Sequence, residues 1–299
     1  MTAPLAKDLR QWSQVIEALR EAIGSGFSPE SIRPVSGGSI NAAYLLSDGR
    51  ERFFVKTNAP DREAMFAAEA EGLRAMRQTG AIRVPEPICF GADERFSWLV
   101  CEYIEFGRPR QDSEAALGRQ LAAMHRHTAD RFGWHRDNTI GSTPQINDWC
   151  DDWLEFWGER RLRYQADLLA ARGMEMRQMI DELCEGLAGL FRGHAPEASL
   201  LHGDLWGGNR AFDAQGNPVI FDPAVYYGDR EADVAMTELF GGFGPDFYAG
   251  YGEAWALDEG YQRRRQLYNL YHIMNHANLF GGGYFRQARA MAASLLGEL

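Results

Sequence analysis

The chain lacks any cysteine arrangement that would suggest a metal or a redox couple. Its four cysteines, Cys89, Cys101, Cys150 and Cys184, form no CxxC pair and no Cys/His cluster of zinc spacing. They read as free, mostly buried thiols. It has no apolar run of membrane length, and its start, MTAPLAKDLRQW, has no apolar core of a leader. Neither a spanning helix nor a secretory signal is expected, and a reducing cytoplasm is the expected home. It lacks positive charge: 31 Lys and Arg stand against 42 Asp and Glu, a net charge of −11, with a pI near 5.2. That argues against a nucleic-acid backbone or an anionic membrane as principal partner. It leaves room for an anionic small molecule in a local basic or metal-lined pocket. Internal repeats and low-complexity segments are also missing. What remains is an ordinary globular composition, 299 residues with 45% hydrophobic and 24% charged. That length allows one large domain or two lobes with sizeable cores.

Periodicity divides the chain. Residues 5–23 carry Leu5, Leu9, Trp12, Ile16, Leu19 and Ile23 at helical spacing. A turn at 36–41 (SGGSIN), a strand at 43–46, a hairpin turn at 47–50 and a returning strand at 52–57 follow. A helix from about Arg62 to Gln78 ends at Gly80. Proline geometry extends 84–87, and 97–104 is another strand. Gly107-Arg108-Pro109 breaks the pattern, and the character then turns helical. Ser113 is a good N-cap for a helix with Leu117, Leu121, Met124 and Thr128 on one face. A long aromatic helix is predicted over 148–171, with Trp153, Trp157, Tyr164 and Leu168 as its seam, and another over 174–192. Short strands and loops fill 200–223, and 261–297 is again mostly helical. The expectation is an α+β protein of two lobes, a small β-rich lobe over 1–103 and a larger helical lobe over 104–299.

Lys56 and Glu69 are the first residues with chemistry to explain. Strand alternation places Lys56 on the face of Phe54, where a lysine could also snorkel to solvent. Met65, Glu69, Leu73 and Met76 share one helical stripe, so Glu69 lies on an apolar face. A carboxylate there needs a cation or donors, since leaving it unpaired costs on the order of several kcal/mol. Lys56 is the nearest candidate, and a strand lysine paired to a helical glutamate is how an ATP phosphate anchor is built. Glu71 points the other way. The turn containing Gly37, Gly38 and Ser39 precedes Lys56 by one hairpin and could lay backbone N–H groups over phosphates. As a lone motif it is equally an ordinary hairpin turn.

The segment HGDLWGGN, residues 202–209, puts Asp204 and Asn209 at the ends of a glycine-rich loop, and Asp222 follows thirteen residues later after an apolar run. Phosphoryl transfer needs a hydroxyl oriented, its proton accepted and phosphate charge neutralised by Mg²⁺. Asp204 suits the base; Asn209 and Asp222 suit a sparse Mg²⁺ site completed by water and phosphate oxygens. The spacing matches the protein-kinase arrangement. Asp233, opening a helix, could hold the catalytic loop through backbone N–H groups or serve as an N-terminal helix acid.

These residues resemble the fructosamine kinase (ketosamine-3-kinase) family, within the protein-kinase-like and aminoglycoside-phosphotransferase-like superfamily. The likeness runs through FVK at 54–56, FGWH at 132–135, DNTIG at 137–141, WCDDW at 149–153, LLHGDLWGGN, PVIFDPAVYYGDREADVAM, FGGF, and the NH and FGGGY segments near the end. It implies ATP- and Mg²⁺-dependent phosphorylation of the sugar 3-hydroxyl of ketosamines, free or protein-bound, a deglycation step. By matching position it implies Asp204 as base and Asn209 and Asp222 as metal ligands. It implies Lys56 with Glu69 as phosphate anchor, and Glu102, Tyr103 and Ile104 as the adenine-side hinge. Trp206 would cover the substrate, or else plug the core. His272, Asn275 and His276 would line the pocket, or else be structural. Where many relatives carry a cysteine in the phosphate-covering turn, this chain has Ser39, so a thiol link between subunits is not expected. A monomer or a weak homodimer is expected. A kinase of an aminoglycoside, choline or sugar shares the catalytic set and is the competing reading; a nucleotide-binding module without catalysis is the third.

Overall fold

The computed structural model describes residues 9–24, 26–35 and 40–299. Gly37, Gly38 and Ser39 of the expected phosphate-covering turn therefore lie outside the described residues, as does Leu5.

Alternating apolar side chains build the first region. Strands β1 (Ser31–Val35), β2 (Ala42–Ser47), β3 (Arg52–Asn58), β4 (Pro87–Ala92) and β5 (Ser97–Glu102) form an antiparallel sheet in the order β1-β2-β3-β5-β4. The β2–β3 turn is closed by Asp48, whose Oδ1 accepts the N–H groups of Arg50 and Glu51 at 2.9 and 2.7 Å. One face sends Leu46, Phe53, Val55, Trp98 and Val100 against Trp12, Val15, Ile16 and Leu19 of the N-terminal segment. There a 3₁₀ turn (Leu9–Trp12) leads into helix α1 (Ser13–Ile23). The other face sends Leu99 and Cys101 against Phe66, Ala70, Leu73 and Met76 of helix α2 (Glu63–Gln78). Lys56 shares that second side.

The helical region follows the connection 103–112. Its elements are α3 (Ser113–His125), β6 (Thr128–Ala129), the hairpin β7 (Asn138–Ile140) and β8 (Thr143–Gln145), then α4 (Trp153–Trp157), α5 (Tyr164–Ala170) and α6 (Arg177–Leu190). Next come β9 (Ala198–Leu201), β10 (Arg210–Phe212), β11 (Pro218–Ile220) and β12 (Tyr226–Gly228). Helices α7 (Glu231–Leu239), α8 (Pro245–Ala254), α9 (Tyr261–Phe280) and α10 (Gly282–Leu296) complete it. Helices α3 and α8 touch backbone to backbone, because Gly118 faces the Phe247 carbonyl and Gly250 faces the Ala115 carbonyl with no room for a Cβ. All four thiols are free; Cys101 and Cys150 are buried and Cys89 and Cys184 half-buried. Among the described residues no helix is long and apolar enough to cross a membrane.

Three local expectations are corrected. Ser113 is the first residue of α3 rather than its cap; its Oγ accepts the Arg110 N–H at 2.7 Å and donates to the Gly216 carbonyl at 2.6 Å. Helix α3 stops at His125, so Thr128 belongs to β6. The aromatic helix runs 153–170 and is interrupted by a π-helical turn, Gly158–Arg163. A π turn carries one extra residue and rotates the following face. The buried positions in α5 are Gln165, Ala166 and Leu169, so the seam runs through Gln165 and Leu169, one residue beyond Tyr164 and Leu168.

Candidate active site

Lys56 is buried on β3, and its ammonium holds two carboxylates: Glu69 Oε1 of α2 at 2.6 Å and Asp222 Oδ1 at 2.5 Å. Burial alone would lower its pKa, but the charges of Asp222 and Glu69 overcome that and hold the amine firmly protonated. Glu69 answers the reverse problem: burial raises its pKa and Lys56 pulls it back. Glu71 is not merely solvated. It accepts His135 Nε2 and Arg136 Nη1, both at 2.9 Å, and so ties α2 to the segment before β7.

The loop 202–209 leaves β9 and is fixed from below. Asp233, buried at the start of α7, accepts the N–H groups of His202 at 2.6 Å and Gly203 at 2.8 Å, and His125 Nε2 at 3.1 Å. Burial opposes the Asp233 charge, but the His125 bond, the two nearby imidazoles and the Gly203 N–H together outweigh it, so the carboxyl stays below its usual range. His202 Nε2 donates to the Phe221 carbonyl at 2.9 Å, which leaves Nδ1 to accept the Asp204 N–H at 3.2 Å. Burial keeps that imidazole neutral, as this tautomer requires. The loop is also zipped to the strand leading into Asp222: Ala224 N–H reaches the His202 carbonyl at 2.8 Å and Phe221 N–H the Asn209 carbonyl at 3.0 Å.

Asp204, Asn209 and Asp222 thereby meet. Asn209 Nδ2 donates to the Asp204 carbonyl at 2.8 Å, to Asp204 Oδ2 at 3.2 Å and to the Asp222 carbonyl at 3.4 Å. The opposite edge of the planar carboxamide, Oδ1, is the atom left to face a ligand. Asp222 has a φ of 60°, alone among the described non-glycine residues in the left-handed region. Aspartate tolerates that conformation better than most residues, and it aims the carboxylate at Lys56.

Sequence reasoning missed what holds the segment after Asp222. Gln145 Nε2 donates to the Ala224 carbonyl at 3.1 Å and Asn138 Nδ2 to the Val225 carbonyl at 2.8 Å. Gln145 and Asn147 also donate to Asn138 Oδ1, and Tyr271 OH reaches Gln145 Oε1 at 2.7 Å. Behind them lies Arg161, fully buried, on the Ile146 carbonyl (2.6 Å) and Asn147 Oδ1 (2.7 Å). Its guanidinium carbon stands 4.3 Å from the Tyr226 ring centroid and 4.6 Å from that of Phe156. The π turn that shifts the seam is the one carrying Arg161, the single local signal for this network.

The remaining residues divide by burial. Glu102 donates its N–H to the Glu86 carbonyl (2.8 Å), and its Oε1 accepts from Arg83 Nη2 (2.7 Å). Tyr103 lies under the Arg52 guanidinium, and Ile104 is buried. Beside them Phe106 stacks on Phe221 at 5.4 Å. Trp206 is 40% exposed, with its ring over Gly208, so it is no core plug. His272 is buried and held neutral, its pKa lowered to about 3 by burial and by His276. Asn275 is buried with both amide ends spent, on Gln165 and the Ile140 carbonyl. His276 is only half-buried and touches Phe240.

The donor set fits a hard cation. It is all oxygen, with no thiol or imidazole, the pattern of Mg²⁺ rather than a softer metal. Asp204 is raised well above the usual carboxylate range, by burial first and by the Asp222 charge second.

Comparison with known proteins places the sequence in a family. The fructosamine kinase family model matches residues 11–298. A probable ketoamine kinase of Synechocystis is 47% identical over 286 residues, covering 95% of this chain and 97% of that protein. A chloroplastic protein-ribulosamine 3-kinase of Arabidopsis thaliana is 46% identical, covering 89% and 82%. The crystal structure of a protein from Haemophilus somnus, provisionally named a fructosamine-3-kinase, superposes with a TM-score of 0.88 at 28% identity, covering 95% and 97%. An ADP-bound aminoglycoside phosphotransferase superposes at 0.60 with 15% identity, over 96% and 97%, which shows a shared kinase-like fold alone. With the family model matching nearly the whole length and relatives this similar, the chain belongs to the fructosamine kinase family.

Proposed function

We propose that this chain transfers the terminal phosphoryl group of ATP to the sugar 3-hydroxyl of a ketosamine, free or on a protein lysine. The observation that carries this reading is the meeting of Asp204, Asn209 and Asp222 above the Lys56–Glu69 pair. Asp204 accepts the hydroxyl proton as the O3–phosphorus bond forms and the bond from the terminal phosphorus to the ADP oxygen breaks. Lys56, kept charged by its two acids, anchors the inner phosphates. Glu102 to Ile104 border the adenine, with contact left to backbone atoms other than the Glu102 N–H. Mg²⁺ on Asn209 Oδ1 and Asp222 would neutralise the triphosphate. Trp206 and His276 face the substrate, while the buried Asn275 and His272 support the pocket wall.

Four unpaired thiols suit a reducing cytoplasm, and a monomer or weak homodimer suits the absence of a thiol at Ser39. Enolisation of the adjacent C2 carbonyl toward C1 expels the 3-phosphate, and water then hydrolyses the resulting imine at C1, which frees the amine and leaves a dicarbonyl sugar. Coupled ADP-release assays with ribulosamine, fructosamine, an aminoglycoside and choline test the reading. Turnover of the two ketoamines is expected; selective turnover of either of the others would overturn it.

A further inference from the structure

Phosphoryl transfer leaves one surface unexplained. Six large apolar side chains are exposed among the described residues, and three of them, Trp206, Phe240 and Phe280, are joined through His276 beside the loop that carries Asp204. Exposed apolar groups are normally scattered singly, and a cluster marks a binding surface. The contacts are continuous. The Trp206 and Phe240 rings meet edge to face at 6.4 Å, Phe240 lies 4.8 Å from His276, and His276 lies 5.6 Å from Phe280 and 5.1 Å from Tyr284.

The backbone is shaped to present these rings. Phe240 is followed by Gly241 and Gly242 with φ of 73° and 97°, and Phe280 by Gly281 and Gly282 with φ of 73° and 36°. Gly207 of the catalytic loop packs on the first pair, where a Cβ would stand 2.9 Å from the Gly241 carbonyl. The aromatic wall is therefore fastened to the loop that carries Asp204. Its histidine brings no charge. His276 Nδ1 donates to the His272 carbonyl at 2.8 Å, burial lowers its pKa, and Nε2 is left as an acceptor.

We propose that Trp206, Phe240, His276, Phe280 and Tyr284 form the subsite for the amine half of the ketosamine. That half is a protonated secondary ammonium and the alkyl or aryl chain it bears. The inference rests on the reading above, and it commits to this occupant because of position. A sugar with its 3-hydroxyl at Asp204 has its amine only a few bonds away, within reach of Trp206, and the chain beyond must leave along the wall. Aromatic faces attract an ammonium, the neutral imidazole accepts its N–H, and the apolar rings cover the chain. A second copy of this chain seated here would block the cleft.

The test is a series of ribulosamines whose amines run from methyl through butyl to phenethyl, with kcat/KM measured for each. In the natural protein kcat/KM should rise along the series by about tenfold to a hundredfold. In Phe280→Ala and Phe240→Ala the ratio of phenethyl to methyl substrate should collapse toward one, and Phe280→Leu should restore part of it. Phe280 is 59% exposed, so its removal does not threaten folding. A flat series in the natural protein, with turnover intact, overturns the subsite and leaves the ketosamine reading standing. Turnover of none of the series overturns both. A change in sedimentation on Phe280→Ala with an unchanged ratio makes the wall a contact between copies and overturns the subsite.

Discussion

Asp204, Asn209 and Asp222 are close neighbours, and the different tasks proposed for them follow from what each already touches. Asp222 is bound to Lys56; Asp204 has no cation and sits under an amide; Asn209 spends its nitrogen on the loop. Asp204→Asn keeps the shape and removes the proton acceptor. Its turnover should fall by about 10²–10⁴-fold, while nucleotide affinity stays near that of the natural protein. Asp222→Ala removes a phosphate-side carboxylate and should weaken binding of Mg·ATP itself, read by titration at fixed Mg²⁺. Unchanged turnover in the first, or unchanged nucleotide binding in the second, would contradict the assignment. These three residues were legible in the sequence because their spacing is tied to a local strand–loop–strand. Asn138, Gln145 and Arg161 were not. Their partners lie across the fold, and an amide or an arginine in a loop or helix looks like any solvated side chain until its neighbours are known. Asn275 shows the converse: helical spacing put it beside His272 and His276, but burial commits its amide to Gln165 and Ile140.

At the scale of elements, the sheet and α2 were readable from period two and period 3.6, including Lys56 and Glu69 on facing sides. The long aromatic helix was readable in extent but not in phase, since a π turn leaves no periodic mark before its own position. Backbone contact between helices is also invisible to hydropathy: Gly118 and Gly250 read as ordinary glycines, yet each sits against a carbonyl of the other helix. Gly118→Ala should therefore force α3 and α8 apart. A loss of about 1–3 kcal/mol is expected, seen as a lower urea midpoint. A midpoint equal to that of the natural protein would mean the helices yield freely. Helix propensity alone would favour alanine, so the sign of the change decides between packing and propensity.

At the scale of the whole molecule, charge and composition carry two further expectations. His194 lies between Asp229 (2.7 Å), Asp258 (2.5 Å) and, at 4.0 Å, Glu231. Burial works against its charge, but the Asp229 bond and the nearby acids win and raise its pKa. A raised folded value means stability that is complete below about 6.5, the usual histidine value, and is lost as pH rises through the folded value. His194→Gln should erase that alkaline loss in thermal melts, and an identical pH profile in both proteins would contradict it. The chain also has only two lysines, Lys7 and Lys56. Lys56 is buried and protonated, so it is a poor target for sugars. After prolonged incubation with ribose, Lys56 should carry no adduct and activity should be retained; an adduct on Lys56 would contradict its burial. The account as a whole is tested most directly by phosphorus–proton correlated NMR of the product formed from ATP and ribuloselysine. It predicts coupling of the new phosphate to the proton on sugar carbon 3, one ADP released per phosphate, and neither formed at an appreciable rate by Asp204→Asn. Coupling to any other position, or product formed by Asp204→Asn at the natural rate, would contradict it.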